Sequence, residues 1–153
     1  MMRLLLAKDE TNVNEVGTKG WSPLNLACYH GFTSALEILL TAESIDVNQA
    51  KTTTGFTPLL MACQNGHASV VELLLAASDT DVNQALTTTG STPLFMACQN
   101  GHTPIVKLLL AASDIDVNQA KTTTGSTPLL MACQEGHASV VELLLASSGI
   151  DVN

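Results

Sequence analysis

The residues of this chain that could do chemistry recur instead of converging. Cys28, Cys63, Cys98 and Cys133 stand 35 residues apart, and His67, His102 and His137 keep the same interval, with Phe32 at the corresponding earlier place. Four cysteines raise disulfide pairing, metal ligation or a small buried core role, and Asp79-x-Asp81-x-Asn83 opens like a calcium loop. Each chemistry asks for something the pattern withholds. A calcium loop needs glycine at its sixth position and glutamate at its twelfth, where this chain has Gln84 and Gly90. Zinc sites want Cys-x-x-Cys spacing, and none occurs. A catalytic base acts once, at one asymmetric site, which does not suit a histidine copied three times and exchanged for Phe32 in a fourth place. No phosphate-cradling glycine loop and no single Ser/His/Asp or paired-carboxylate arrangement stands apart from the repetition. The expectation is a chain with no catalytic residues, no metal and no cofactor.

The elements that carry these residues repeat with them. Gly20, Gly55, Gly90 and Gly125 are also 35 apart, and self-similarity at such a period marks stacked supersecondary units. Within the copy that starts at Gly55, Thr57-Pro58 supplies a hydroxyl N-cap and a proline at the first helical position. Leu59, Ala62 and Cys63 then recur at helical spacing, and Gly66 ends the helix. A second helix is expected from Ala68 to Ala76 with Val70, Val71, Leu74 and Leu75 inward and Glu72 outward; Thr103-Pro104 repeats the cap-then-proline signal in the next copy. Asp81-Val82-Asn83 and Thr87-Thr88-Thr89-Gly90 follow, short arms around a glycine turn that suit a β-hairpin.

Taken in order, Gly-x-Thr-Pro-Leu, Ala-Cys, Gly-His, Val-Val-x-Leu-Leu-Leu and Asp-Val-Asn resemble the ankyrin repeat over essentially the whole chain. The resemblance implies an all-α ankyrin-repeat solenoid, helix-turn-helix units joined by short β-hairpin loops, acting as a non-catalytic module that binds a protein or peptide partner on its concave face. A second implied setting is a targeting or regulatory ankyrin segment of a larger enzyme or channel. The sequence departs from the family twice. Its period exceeds the usual length of about 33, the surplus falling after Leu75 and in the threonine hairpin. The histidine that normally follows Thr-Pro-Leu is replaced by Asn25, Leu60, Phe95 and Leu130. The resemblance also suggests Asn83 and Asn118 as substrates of an asparaginyl hydroxylase, although asparagine is equally a good turn former.

These boundaries give one ankyrin-repeat domain over 1–153: an N-terminal half repeat and hairpin (1–19), then repeats at 20–54, 55–89, 90–124 and 125–153. Met1 to Asn14, with Leu4-Leu5-Leu6 eight residues before Asn14, reads as a second helix alone. Leu4 to Ala7 is too short an apolar core for a signal peptide, and no run approaches a membrane span. With 46% apolar residues the stack has enough material for an extended core. A net charge of −8 with only six scattered basic residues argues against nucleic acid or an anionic membrane as partner. Equivalent cysteines in adjacent units should sit about 8–10 Å apart, the helix-packing distance, beyond the roughly 7 Å reach of a disulfide. They read as small core residues, and free thiols imply a reducing compartment, cytosol or nucleus. Lacking a polar closing helix, the last unit is expected to leave Val140, Val141 and Leu144 near an uncovered end and to favour fraying or end-to-end self-association.

Comparison of copies locates the variable places. The second and fourth units, from Gly to Asn, differ only at Phe56/Ser126, Asn65/Glu135, Ala77/Ser147, Asp79/Gly149 and Thr80/Ile150. The first two coincide with places where ankyrin-type proteins meet partners. Carried over, the expected partner-binding residues are Trp21, Phe56, Ser91 and Ser126 with Tyr29, His30, Gln64, Asn65, Gln99, Asn100, Gln134 and Glu135. The rim is formed by Thr53, Thr54, Thr88, Thr89, Thr123 and Thr124. Trp21, Tyr29 and Phe56 make one end of this face aromatic, the kind of anchor on which binding energy concentrates; the competing reading is that these rings merely pack on the neighbouring hairpin.

Overall fold

A computed structural model of the chain describes residues 12–152; the half unit built around Leu4-Leu5-Leu6 lies outside the described residues. Among the described residues there are eight helices in four pairs: α1 (Pro23–His30) and α2 (Thr33–Leu39), α3 (Pro58–Asn65) and α4 (Ala68–Ala76), α5 (Pro93–Gln99) and α6 (Thr103–Leu110), α7 (Pro128–Gln134) and α8 (Ala138–Ala146). No strand occurs among the described residues.

Local chemistry sets the first helix of each pair. The hydroxyls of Ser22, Thr57, Thr92 and Thr127 accept the N–H of Asn25, Leu60, Phe95 and Leu130 at 3.1–3.2 Å, and proline follows each cap, where its missing N–H is no loss. Gly66 ends α3 at φ 78°, a left-handed conformation that side chains disfavour. The second helices start differently from the expectation. Thr103 is the first residue of α6 and not its cap; His102 holds the cap position without a side-chain bond, and so do Phe32, His67 and His137. The chain leaves the left-handed glycine so tightly that the N–H of His102 already bonds to the carbonyl of Ala97 at 3.0 Å, which satisfies part of the junction by backbone alone.

The expected β-hairpins are tight reversals too short to form a ladder. Lys51 N–H bonds to the Phe56 carbonyl at 2.8 Å and Gly55 N–H to the Lys51 carbonyl at 2.8 Å, with the same pair at Leu86/Ser91 and Lys121/Ser126. Neighbouring reversals touch through a backbone bond, Thr52 N–H to the Gly20 carbonyl and Thr122 N–H to the Thr89 carbonyl, and the Thr53 hydroxyl also donates to the Lys19 carbonyl at 3.4 Å.

The first helices stack in one row (α1, α3, α5, α7) and the second helices in another, each first helix also packing on its own partner. The first-helix row is the more intimately packed. Between the rows lies one continuous core, with Leu59, Ala62, Cys63, Val70, Val71 and Leu74 of the second unit buried in it as expected. Leu75 is only half-buried. At the far end the expectation needs correcting. Val140 and Leu144 are fully buried within the cluster and Val141 half-buried, because the outer helix turns its valines and leucine into its own pair. The uncovered residues are on α7: Leu130 is 55% exposed where Leu60 and Phe95 are 0%, and Cys133 is exposed where Cys63 and Cys98 are buried.

Two glycines separate backbone strain from neighbour contact. A Cβ on Gly66 (φ +78°) would sit 2.8 Å from the His102 ring, whereas one on Gly136 (φ +75°) meets nothing within 4 Å. Gly136→Ala is expected to cost about 1–2 kcal/mol from the left-handed backbone alone, and Gly66→Ala about 1 kcal/mol more through displacement of His102 from its hydrogen bond. Urea denaturation of both variants checks this; equal losses would remove the contact argument.

Candidate functional site

The repeated polar residues are joinery between units. In each Asp-Val-Asn the aspartate accepts the N–H of the asparagine two residues on, at 3.0 Å for Asp46/Asn48, Asp81/Asn83 and Asp116/Asn118. The asparagine amide then spans to the next unit. Asn83 Nδ2 donates to the Asp114 carbonyl at 2.6 Å, and its Oδ1 accepts the N–H of Asp116 at 2.9 Å. Asn14, Asn48 and Asn118 do the same to Ser44/Asp46, Asp79/Asp81 and Gly149/Asp151. Both ends of the Asn83 and Asn118 amides are therefore engaged, so a modifying enzyme would have to open the turn to reach them.

The histidines reach the other way. His67, His102 and His137 place Nε2 at 3.0, 3.2 and 3.1 Å from the carbonyls of Tyr29, Gln64 and Gln99, at the C-terminal ends of the preceding first helices. Those carbonyls lack helical partners, so the imidazole supplies one. Of the residues in place of the family's usual histidine, Asn25 keeps a bond to the next loop, Nδ2 to the Gln49 carbonyl at 2.9 Å. Leu60 and Phe95 are buried and apolar.

The cysteines run along the first-helix row as free thiols. Burial pushes Cys28 and Cys98 up to about 12, and Cys63 is raised by burial and by the neighbouring Cys98. Such thiols are poor nucleophiles. Among the described residues no group of three His, Cys, Asp or Glu side chains is arranged to hold a metal, and no helix is long and apolar enough to cross a membrane.

The predicted binding residues fall into three environments. Trp21, Tyr29 and His30 form a connected run: Trp21 and Tyr29 meet edge to face at 5.2 Å, Tyr29 and His30 at 5.0 Å, and His30 stacks on Phe32 at 5.2 Å. Lys51 from the next hairpin sits 3.9 Å over the Trp21 ring. Phe56, expected to extend this cluster, is half-buried and packs against the core instead, and no ring contact joins it to Trp21 among the described residues. Ser91 is 2% exposed, its hydroxyl 2.9 Å from that of Thr89, so burial removes it from the surface set. Ser126 is half-buried and holds Thr124 at 3.0 Å. Gln64, Asn65, Asn100, Gln134 and Glu135 are exposed and Gln99 is half-buried.

Two exposed apolar residues of the first unit were missed. Phe32 is 58% exposed and Leu26 41%, although the positions matching Leu26 in later units, Met61, Met96 and Met131, are buried. Alignment of copies held the signal: Phe32 replaces a histidine whose task is to bond the preceding first helix.

A family model for ankyrin repeats (3 copies) matches the chain twice, over residues 1–86 and 78–153. The chain belongs to the ankyrin repeat family. No curated protein matches it. Ankyrin repeats are in general protein–protein interaction modules on a non-catalytic fold, and here the repeated histidines and asparagines hold ankyrin units together.

One thiol should respond to solvent. In the native protein at neutral pH a disulfide reagent is expected to titrate Cys133 promptly and the remaining three cysteines only after denaturation; fast reaction of more than one thiol per chain would contradict the burial. Because folding raises the buried thiols, the stability they carry is whole below the ordinary value of 9.0 and is lost as pH climbs towards about 12. Thermal melts should therefore fall across that alkaline interval.

Proposed function

We propose that this ankyrin-repeat chain binds a protein or peptide partner on its first-helix face, anchored on the first unit. The observation that carries the reading is the ring run Trp21–Tyr29–His30–Phe32. The chain has one Trp, one Tyr and three Phe. Phe95 is buried and Phe56 half-buried on the core, so its exposed rings are concentrated in one place. Aromatic side chains offer large contact area with little rotamer entropy to lose, and they dominate the hot spots of interfaces. Gln64, Asn65, Asn100, Gln134 and Glu135 at the ends of α3, α5 and α7 supply the polar continuation, with Gln99 half-buried among them. Ser126 and the exposed rim residues Thr53, Thr88 and Thr123 line its edge. Four unpaired thiols support a reducing setting, cytosol or nucleus.

The double variant Tyr29→Ala/Phe32→Ala tests the anchor, because these are surface positions whose loss should change stability by only about 0.5 kcal/mol. In cross-linking pull-downs beside the unaltered chain, it is expected to lose the recovered partner while its melting curve stays in place. Equal recovery by both proteins would rule the ring run out as the docking point.

A further inference from the structure

The charge of this molecule is segregated by face. From Val13 to Leu36 the ionised side chains are Glu15 and Lys19; from Val47 to Val71 the only one is Lys51; from Val82 to Val106 there is none; and from Val117 to Gln134 it is Lys121. Each stretch runs from a hairpin through a first helix. Most carboxylates lie elsewhere, on the second helices at Glu37, Glu72 and Glu142 and on the Asp-Val-Asn edge at Asp46, Asp81 and Asp116. Within a chain of net charge −8, the hairpin and first-helix side thus presents three lysines against the two carboxylates of Glu15 and Glu135. Two of these lysines are held over aromatic rings, Lys51 at 3.9 Å from the Trp21 centroid and Lys121 at 5.6 Å from that of Phe95. A cation over a ring keeps its charge and loses freedom, so both ammonium groups stand ready at fixed places.

We infer that the partner of this face is an acidic peptide segment, with an aromatic or leucine side chain seated on Leu26, Tyr29 and Phe32 and carboxylates meeting Lys51 and Lys121. The inference rests on the proposed reading and adds the chemistry of the partner. The apolar end accounts for the anchor, since Leu26 and Phe32 are exposed beside the ring run. Trp21 joins that run to Lys51, so one ligand can touch both. Lys51 and Lys121 occupy matching places two units apart; at about 8–10 Å between packed helices the gap is about 16–20 Å. An extended segment rising about 3.3 Å per residue crosses it in about five or six residues. Three separated lysines without an arginine are too sparse to neutralise a run of nucleic-acid phosphates, which favours the peptide over a polynucleotide.

The experiment is a selection of short random-sequence, cysteine-free peptides displayed on phage against the full chain. It is run in parallel on Leu26→Ser/Phe32→Ser and on Lys51→Gln/Lys121→Gln, each shown to be folded by its circular dichroism. The expected recovered set is net acidic, carries an aromatic or leucine anchor, and places carboxylates about five or six residues apart. Recovery should fall at least tenfold on either variant. A recovered set that is neutral or basic, or one that both variants retain, overturns the acidic partner while leaving peptide binding intact. Tight binding of a single-stranded oligonucleotide that depends on the lysines but not on Phe32 overturns it in favour of a polynucleotide. Failure to recover any peptide above background overturns this inference, while the proposed function falls only if the pull-down also recovers no partner that depends on Tyr29 and Phe32.

Discussion

A side-chain amide that closes the loop of the next unit is the interaction on which this molecule depends. A single helix pair cannot bury its own apolar stripe, so each must lean on a neighbour. Leaning alone would not fix register, because hydrophobic contact is non-directional. The Asn14, Asn48, Asn83 and Asn118 amides supply direction, each donating to one carbonyl and accepting one N–H of the following turn. His67, His102 and His137 add the reverse link, from each unit to the helix end before it. Each of the three joints between the described helix pairs is thus tied by hydrogen bonds in both directions, and a slip of one residue would break them together.

The glycines follow from the same ties. Gly31, Gly66 and Gly101 turn left-handed to end their helices, and the next unit's histidine ring fills the space a Cβ would need. One residue type therefore meets two demands, backbone and neighbour. The core inherits its order from this geometry. Cys28, Cys63 and Cys98 line up along the first helices because small side chains suit the closer of the two rows, and burial there disfavours their thiolate forms.

Much of this was legible in the residues. The 35-residue interval, the Thr-Pro starts at Thr57, Thr92 and Thr127 and the Ala68 to Ala76 helix are local signals, and local chemistry decided them. What the sequence left hidden depends on neighbours. Thr103 resembles a cap, yet the preceding glycine turn pulls it inside the helix. Ser91 occupies the variable place beside Thr-Pro, but its hydroxyl folds back onto Thr89. Phe56 shares that place with Trp21, and still only Trp21 joins the exposed rings, since the two face different surroundings. The valines of α8 were misread because an outer helix buries them against its own pair. Leu26 and Phe32 escaped because their exposure arises from what lies against them, not from their own type.

Because every tie reaches one unit and no further, the array can be shortened in whole units. Loss of 90–124 would bring Gly66 beside His137, set the Gln64 carbonyl against that imidazole, and offer the Asn83 amide the Gly149 carbonyl and the Asp151 N–H, the same acceptors and donors that the deleted segment had provided. Recombination between near-identical copies would therefore yield shorter or longer proteins with intact seams, differing in reach and not in construction.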